Sequence, residues 1–188
     1  MTGTAPLVTL DRARSVRRRI QEYLAREERE LGADPTLLAQ EALNMSGLEF
    51  FERWLRYDDL PPPPAIALLF SMEWVEVEPS RAVLALEPAG WMFNPGGAVY
   101  GGVTATLLDT VLGAAVQTTL PAGTGYATTD LHIRFIRAIT ADTGRVLATG
   151  TVVHAGRRHA VAEGRVEVEA TGKLIAAGTA DCPILRPS

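Results

Sequence analysis

The sequence predicts an α+β fold in which an antiparallel sheet of five to six strands wraps around one long central helix, preceded by a helical N-terminal arm. Six segments after residue 64 are rich in Val, Ile, Leu, Thr or aromatic residues and are bounded by Gly, Pro or Asp, as strands are. Short turns separate most of them. Such turns join antiparallel neighbours, because a parallel connection needs a dozen or more residues. One strongly apolar stretch of helical spacing, 101–119, interrupts the strands.

The arm begins with helical patterns. Residues 11–31 place apolar side chains at helical spacing among many arginines and glutamates, which predicts an amphipathic surface helix. Asp34 followed by Pro35 is typical of a cap and first helical position, and it predicts a second helix through about Met45.

Ser46 and Glu49 fit a capping box, which predicts a third helix ending near Asp58. The four prolines at 61–64 cannot lie inside a helix and favour an extended segment. We therefore divide the chain into a helical arm, 1–60, and a main domain, 61–188.

The predicted strands alternate with Gly-, Asp- and Pro-containing turns and cover 70–79, 81–88, 126–137, 144–155, 158–170 and 173–185. The helix between the second and third strands carries Val103, Leu107, Leu108 and Leu112 around well over half of its circumference. A helix this apolar is expected to be buried by the sheet.

Composition excludes several function classes. With 188 residues, 47% of them hydrophobic, the chain can bury the core of one ordinary domain. A net charge of −4 gives no general attraction to nucleic acid or to anionic lipid. No segment has the pattern of a membrane span or a signal peptide, so we expect a cytoplasmic protein. The single cysteine, Cys182, excludes an internal disulfide and is expected to be a strand residue.

Gly101 and Gly102 stand where the central helix begins. A helix N-terminus offers unpaired backbone N–H groups and the positive end of the helix dipole, so it can hold an oxyanion. Glycine there lets a ligand approach the backbone closely. The alternative is that both glycines serve only a tight turn and close packing. A nucleotide-phosphate loop fits poorly, because the GGAVYGG segment lacks the spacing of such loops.

Asp109 is a lone acid in the apolar helix, and its neighbours make burial the expectation. It follows Gly101 by eight residues, or about 12 Å along the axis, whereas one water and one carbonyl span only about 6 Å. If both groups act on one carbonyl, they must come from two copies with antiparallel central helices. The spacing thus argues for a homodimer with two shared sites. The alternative is that Asp109 is a buried polar residue whose hydrogen bonds are satisfied within the chain, or an acid on the surface of the helix.

These residues resemble the hotdog-fold acyl-CoA thioesterases of the phenylacetic-acid-degradation (PaaI) type over about 47–185. That family has an Asn, a Gly, a His-Gly-Gly and an Asp that open the central helix. Here the series reads Asn94, Gly97, Tyr100-Gly101-Gly102 and Asp109, followed by TTDLHIRFIRA, GRR and GKLIAAGTA in the same order. The departure is Tyr100, which stands where the family usually has histidine.

The resemblance implies a cofactor-free enzyme that hydrolyses a small or medium acyl-CoA to the free acid and CoA, as a homodimer or a tetramer of dimers. The Gly101 N–H would polarise the thioester carbonyl, and Asp109 of the other chain would act as general base or nucleophile. Asn94 would orient the nucleophile or thioester, Thr128 would hold the water, and Gly102 would contact the substrate. In a regular strand Thr129 would face the core together with Leu131, Ile133 and Phe135. Thr128 therefore needs a bulge to reach inward, and Thr129 is kept as the reserve candidate for its role.

Arginines would meet the CoA phosphates in this family, and the candidates here are Arg137, Arg157 and Arg158; on their own, such turn arginines are usually solvated. Trp91, Met92 and Phe93 could line the acyl pocket or belong to the core. The three histidines have no grouping at metal spacing, so no metal is indicated. Two other hypotheses stay open: a non-catalytic acyl-CoA binding protein, suggested by Tyr100, and a hotdog hydratase, which would want a histidine at the site.

Overall fold

A computed structural model of the chain describes residues 35–56 and 63–186, together with scattered helical residues between 15 and 26. From residue 35 onward, the described residues form four helices and seven strands, with a single 3-10 turn at Gly90–Met92. In chain order they are α1 (Pro35–Asn44), α2 (Gly47–Arg56), α3 (Ala65–Leu69), β1 (Glu73–Glu78), β2 (Arg81–Leu86), α4 (Gly101–Gln117), β3 (Gly125–Tyr126), β4 (Asp130–Phe135), β5 (Val146–Ala155), β6 (His159–Val168) and β7 (Leu174–Leu185).

The strands form one antiparallel sheet in the order β1-β2-β5-β6-β7-β3, and β4 also pairs with β7. This confirms the predicted α+β architecture of an antiparallel sheet around one long helix. The sheet has seven strands because the predicted strand 126–137 is divided into β3 and β4.

The division between β3 and β4 is the bulge that Thr128 requires. Tyr126 lies opposite Ile184 on β7, and Asp130 lies opposite Asp181. Three residues of one segment, 127–129, therefore face the two residues 182–183 of the other. One extra residue in a strand reverses which face its side chains point to, so the alternation changes between β3 and β4.

The central helix α4 packs its apolar face into the curve of the sheet. Leu107, Leu108, Val111 and Leu112 are completely buried. The approach to β5 is close because Gly150 has no side chain: a Cβ there would lie 2.5 Å from the carbonyl oxygen of Val111. The helix therefore sits deep in the sheet, and one narrow stripe of its surface stays uncovered.

The helices of the arm agree with the sequence predictions where the structure describes them. Helix α1 begins at Pro35, and the Ser46 hydroxyl accepts a hydrogen bond from the Glu49 N–H at 3.3 Å, as in the predicted cap of α2. The described residues between 15 and 26 are helical, and the rest of the predicted helix 11–31 lies outside the described residues. The same holds for 57–62, including Asp58 and two of the four prolines. Helix α3 was not predicted.

Helix α2 packs against the main domain. Phe50 and Phe51 are buried in the same core as the central helix, and the Phe51 ring meets the Trp74 ring edge-on at 5.0 Å. The division of the chain into 1–60 and 61–188 stays a prediction. Among the helices that the structure describes, none has the length and hydropathy to cross a membrane.

Candidate active site

Asp109 lies on the uncovered stripe of α4 and is exposed, so the expectation that it is buried is wrong. The reason is helical periodicity. Leu107, Leu108, Val111 and Leu112 turn toward the sheet, whereas Asp109 shares a face with Gly102, Ala105 and Thr106, which are exposed or half-buried. The carboxylate is therefore available to a ligand or to a second chain.

Two cavities meet at Asp109. A smaller one of about 380 Å³ is lined by Ala105, Thr106, Asp109 and the segment 128–131. A larger one of about 780 Å³ runs between the arm and the main domain, and Asp109 and Thr128 are among its lining residues. A reacting group held at Asp109 would thus have one substituent on each side.

The start of α4 has unpaired backbone donors. In the part of the chain that the structure describes, no acceptor pairs with the N–H groups of Gly101 and Gly102, and the N-cap residue Tyr100 makes no side-chain cap. Tyr100 itself is 54% exposed. A Cβ on Gly101 would lie 3.3 Å from the Phe135 ring, which is exposed and covers this end of the helix. Phe135 therefore faces the central helix, as strand alternation suggested, but lies at the exposed end of that helix and is not buried in the core.

Thr128 is half-buried and lines both cavities beside Asp109, as the bulge allows. Thr129 is exposed, and its hydroxyl donates to the Asp181 carbonyl oxygen at 3.3 Å. The structure therefore brings Thr128, and not the reserve Thr129, to the larger cavity.

Tyr126 and Cys182 complete the surroundings of Asp109, and neither was among the predicted site residues. Tyr126 lines the larger cavity. Burial, with the Asp109 charge as a second cause, raises the pKa of its phenol well above the ordinary range, so it stays neutral. Burial also raises the pKa of the Cys182 thiol, although the neighbouring Thr128 side chain acts in the opposite direction. Cys182 is a fully buried residue of β7, as expected. The signal in the sequence that could have found Tyr126 was its position two residues before Thr128.

Asn94 organises the loop before α4. Its side-chain oxygen accepts hydrogen bonds from the N–H groups of Gly96 at 2.8 Å and Ala98 at 3.4 Å. Gly97 completes the turn with a positive φ of 79°, a conformation that glycine adopts without strain. With its oxygen held by the loop, Asn94 has only its amide N–H groups left to meet a substrate.

The three candidate arginines do not form one cluster within a chain. The Arg158 carbonyl oxygen accepts from Ile184 near the end of β7, whereas the Arg137 N–H donates to the carbonyl oxygen of Ile175. Nine positions of an extended strand separate the two ends by about 30 Å. Arg157 and Arg158 are exposed in the turn between β5 and β6. The Arg137 guanidinium donates to the Leu174 carbonyl oxygen at 2.7 Å.

Trp91, Met92 and Phe93, which precede Asn94, are not among the residues that line the larger cavity. Met92 is buried in the core, and Trp91 packs against Phe70 with ring centroids 5.5 Å apart. Asp130 and His132 form an exposed pair on one strand face, with 3.3 Å between Oδ1 and Nε2. Among the described residues, no group of His, Cys, Asp and Glu has the arrangement of a metal site.

Comparison with known proteins gives the family. The model of the thioesterase superfamily matches residues 96–175, which run from the loop before α4 to the start of β7. A conserved protein from Pseudomonas aeruginosa of known structure is 31% identical, with a TM-score of 0.61 over 65% of this chain and 95% of that one. The chain belongs to the thioesterase superfamily.

Two further relatives agree with this membership. A candidate thioesterase of Ralstonia eutropha, described as related to phenylacetic acid degradation, is 28% identical with a TM-score of 0.63, over 71% of this chain and 98% of that one. A candidate esterase of Halobacterium salinarum is 40% identical over 73 residues, which are 37% of this chain and 46% of that protein. The chain spans about half the length of this last relative. The resemblance to hotdog thioesterases of the PaaI type, and with it the expectation of a hydrolase, is confirmed at the level of the superfamily.

Proposed function

We propose that this superfamily member hydrolyses acyl-CoA thioesters and that each of its two sites is shared between the subunits of a homodimer. One observation carries the proposal: the unpaired N–H groups at Gly101 and the exposed carboxylate of Asp109 lie on one uncovered stripe of α4. About 12 Å separates them along the helix, too far for one carbonyl. An antiparallel second α4 would place each group opposite its counterpart.

In the proposed reaction, the Gly101 N–H donates to the thioester oxygen, where negative charge develops in the tetrahedral intermediate. Asp109 of the other subunit either takes a proton from a water held with Thr128 or attacks the carbonyl itself. In the water route, the new C–O bond forms, the C–S bond breaks, and the proton taken by Asp109 passes to the leaving sulfur. In the nucleophile route, the C–S bond breaks as an anhydride forms between the acyl group and Asp109; water then hydrolyses the anhydride, and a proton that this releases goes to the thiolate. Asn94 would orient the thioester through its amide N–H groups, and Gly102 would contact the substrate.

The same antiparallel pairing of two subunits would also bring Arg137, Arg157 and Arg158 to one site. Arg137 follows the strand whose last residue, Phe135, covers Gly101, whereas Arg158 lies across from Ile184, near Cys182 and the Asp109 side. Joining Gly101 of one subunit to Asp109 of the other therefore brings Arg137 toward the partner's Arg157 and Arg158. Guanidinium groups on both sides suit the phosphates of CoA.

The first experiment measures thiol release from a panel of acyl-CoAs with a thiol-reactive dye. We expect the wild-type protein to hydrolyse acyl-CoA. Asp109→Asn should reduce the rate at least about 100-fold, because a positioned general base contributes about 10²–10⁴-fold to the rate. Binding without thiol release, unaffected by Asp109→Asn, would instead support a non-catalytic acyl-CoA binding protein, which the replacement of the family's histidine by Tyr100 suggests.

A second experiment tests whether the site is shared. Asp109→Asn and Gly101→Pro each remove one half of every site. Reassembled one to one, half of the dimers are mixed, and each mixed dimer has one intact site, so about a quarter of wild-type activity should return. A site built within one chain would recover nothing on mixing.

A further inference from the structure

The larger cavity is a groove with two apolar walls. Helices α1, α2 and α3 supply one wall through Leu38, Phe51, Trp54 and Ile66, and strands β1 and β2 supply the other through Trp74 and Leu84. Only half of this groove comes from the strands and central helix that define the fold. The other half belongs to α1, α2 and α3, all of which precede the residues matched by the superfamily model.

Three of the polar residues that line this groove, Asp109, Thr128 and Tyr126, lie together at the candidate active site. The other polar lining residues are Glu73, Thr110 and Gln117, and the rest of the lining is apolar. From Asp109 the groove follows α4 past Thr110 and Ala114 to Gln117. A ligand that fits these surroundings has one polar, reactive end at Asp109 and an apolar body that extends away from it.

The arm is held in place at several points. The Gly47 N–H donates to the Leu120 carbonyl oxygen at 3.0 Å, and the Gly123 N–H donates to that of Leu43 at 2.7 Å. A Cβ on Gly47 would collide with the backbone of Gln117, so α2 begins in direct contact with the end of α4. With Phe51 packed on Trp74, this wall is a fixed part of the structure.

We propose that this groove binds the acyl chain of the substrate and that the N-terminal arm sets the chain length the enzyme accepts. The inference rests on the proposed thioesterase function, whose reacting carbonyl would lie at Asp109. The distance from Asp109 to Gln117 along α4 is about 12 Å. An extended hydrocarbon advances about 1.25 Å per carbon, from its bond length and angle, so the groove accommodates about ten carbons. The favoured substrates are therefore medium-chain acyl thioesters.

Ala39→Phe tests this assignment, with Gln40→Phe as its control. Both residues are exposed on α1, but only Ala39 lines the groove. The measurement is kcat/KM for decanoyl-CoA and for acetyl-CoA. Wild type should prefer decanoyl-CoA. Because Phe fills space that several methylene groups would occupy, Ala39→Phe should lower the ratio of the two values ~10-fold or more, while Gln40→Phe keeps the wild-type ratio. An equal ratio in all three proteins would overturn the proposal.

A binding measurement separates this proposal from the proposed function. Trp54 and Trp74 line the groove, so titration with decanoic acid should change the tryptophan fluorescence of wild type and of Gln40→Phe. Ala39→Phe should need ~10-fold more decanoic acid for the same change. If decanoic acid binds in this way but no acyl-CoA is hydrolysed, the groove stands and the thioesterase function fails. If acyl-CoAs are hydrolysed but decanoic acid leaves the fluorescence unchanged, the function stands and the groove assignment fails.

Discussion

The phenol of Tyr126 occupies the space that a side chain at position 113 would need. A Cβ on Gly113 would collide with the Tyr126 hydroxyl and lie 2.7 Å from its Cζ. The central helix therefore has a glycine at the point where the Tyr126 ring enters the groove. Tyr126 is thereby held beside Asp109, whose charge contributes to keeping the phenol neutral.

Gly113→Ala should therefore destabilise the fold by about 1–3 kcal/mol, the usual cost of forcing an extra group into a packed interior. Gly102→Ala is the control, because nothing lies within 4 Å of a Cβ there. That variant should be neutral or gain up to about 1 kcal/mol from helix propensity. Urea unfolding of the three proteins measures the difference, and equal midpoints would show that the ring is not held against the helix.

Gly101→Pro should reduce kcat about 100- to 1,000-fold, the usual effect of removing one oxyanion donor. Proline suits this first helical position, so the helix should form normally while its N–H is lost. Gly101→Ala keeps the N–H and adds a Cβ that meets only the exposed Phe135 ring, so it should keep most of the activity. Equal losses in both variants would point to steric obstruction rather than to a missing donor.

Replacing Arg157 and Arg158 together by Ala should raise KM for acyl-CoA about five- to thirtyfold, if each exposed phosphate contact contributes about 0.5–1 kcal/mol. The same variant should hydrolyse the matching N-acetylcysteamine thioester, which has no phosphates, with an unchanged KM. Steady-state kinetics on the two substrates check this. A parallel rise in both KM values would mean that the turn affects the site by some route other than phosphate binding.

Stability should decrease as the pH rises above about 8.5, the ordinary pKa of a thiol. Burial raises the pKa of Cys182 in the folded chain, so over this range the folded state keeps a proton that the unfolded state has lost. The thiol's contribution is fully present below its unfolded pKa and declines by up to about 1.4 kcal/mol per pH unit above it. Urea unfolding between pH 7 and 10 should show a shallower decrease for Cys182→Ala than for wild type, and identical slopes would contradict this assignment.

Local patterns in the sequence predicted the sheet and the central helix. The bulge followed from two sources together: the family resemblance required an inward Thr128, and strand alternation gave that face to Thr129. The exposure of Asp109 was accessible in principle, since the helical repeat groups it with Gly102 and Thr106 rather than with the adjacent leucines. Its apolar neighbours in sequence obscured this grouping.

Other parts of the site depend on contacts that no local pattern contains. The apolar face of α2 was visible in Phe51 and Trp54, but its packing partner Trp74 comes from a distant strand. The fit of Tyr126 to Gly113 depends in the same way on the position of β3 over α4. Arg137, Arg157 and Arg158 looked equivalent in sequence, and only the sheet register separates them.

The three residues of 127–129 face two residues of β7, so this segment carries one residue more than a regular ladder needs. Removing any one of them would let β3 and β4 join into a continuous ladder, with every backbone pair kept. Because Tyr126 faces the groove and Asp130 faces away from it, the residue just before Asp130 would then point inward. That residue is Thr128 when position 129 is lost and Thr129 when 127 or 128 is lost, so a hydroxyl stays beside Asp109 after any single-codon deletion in this segment.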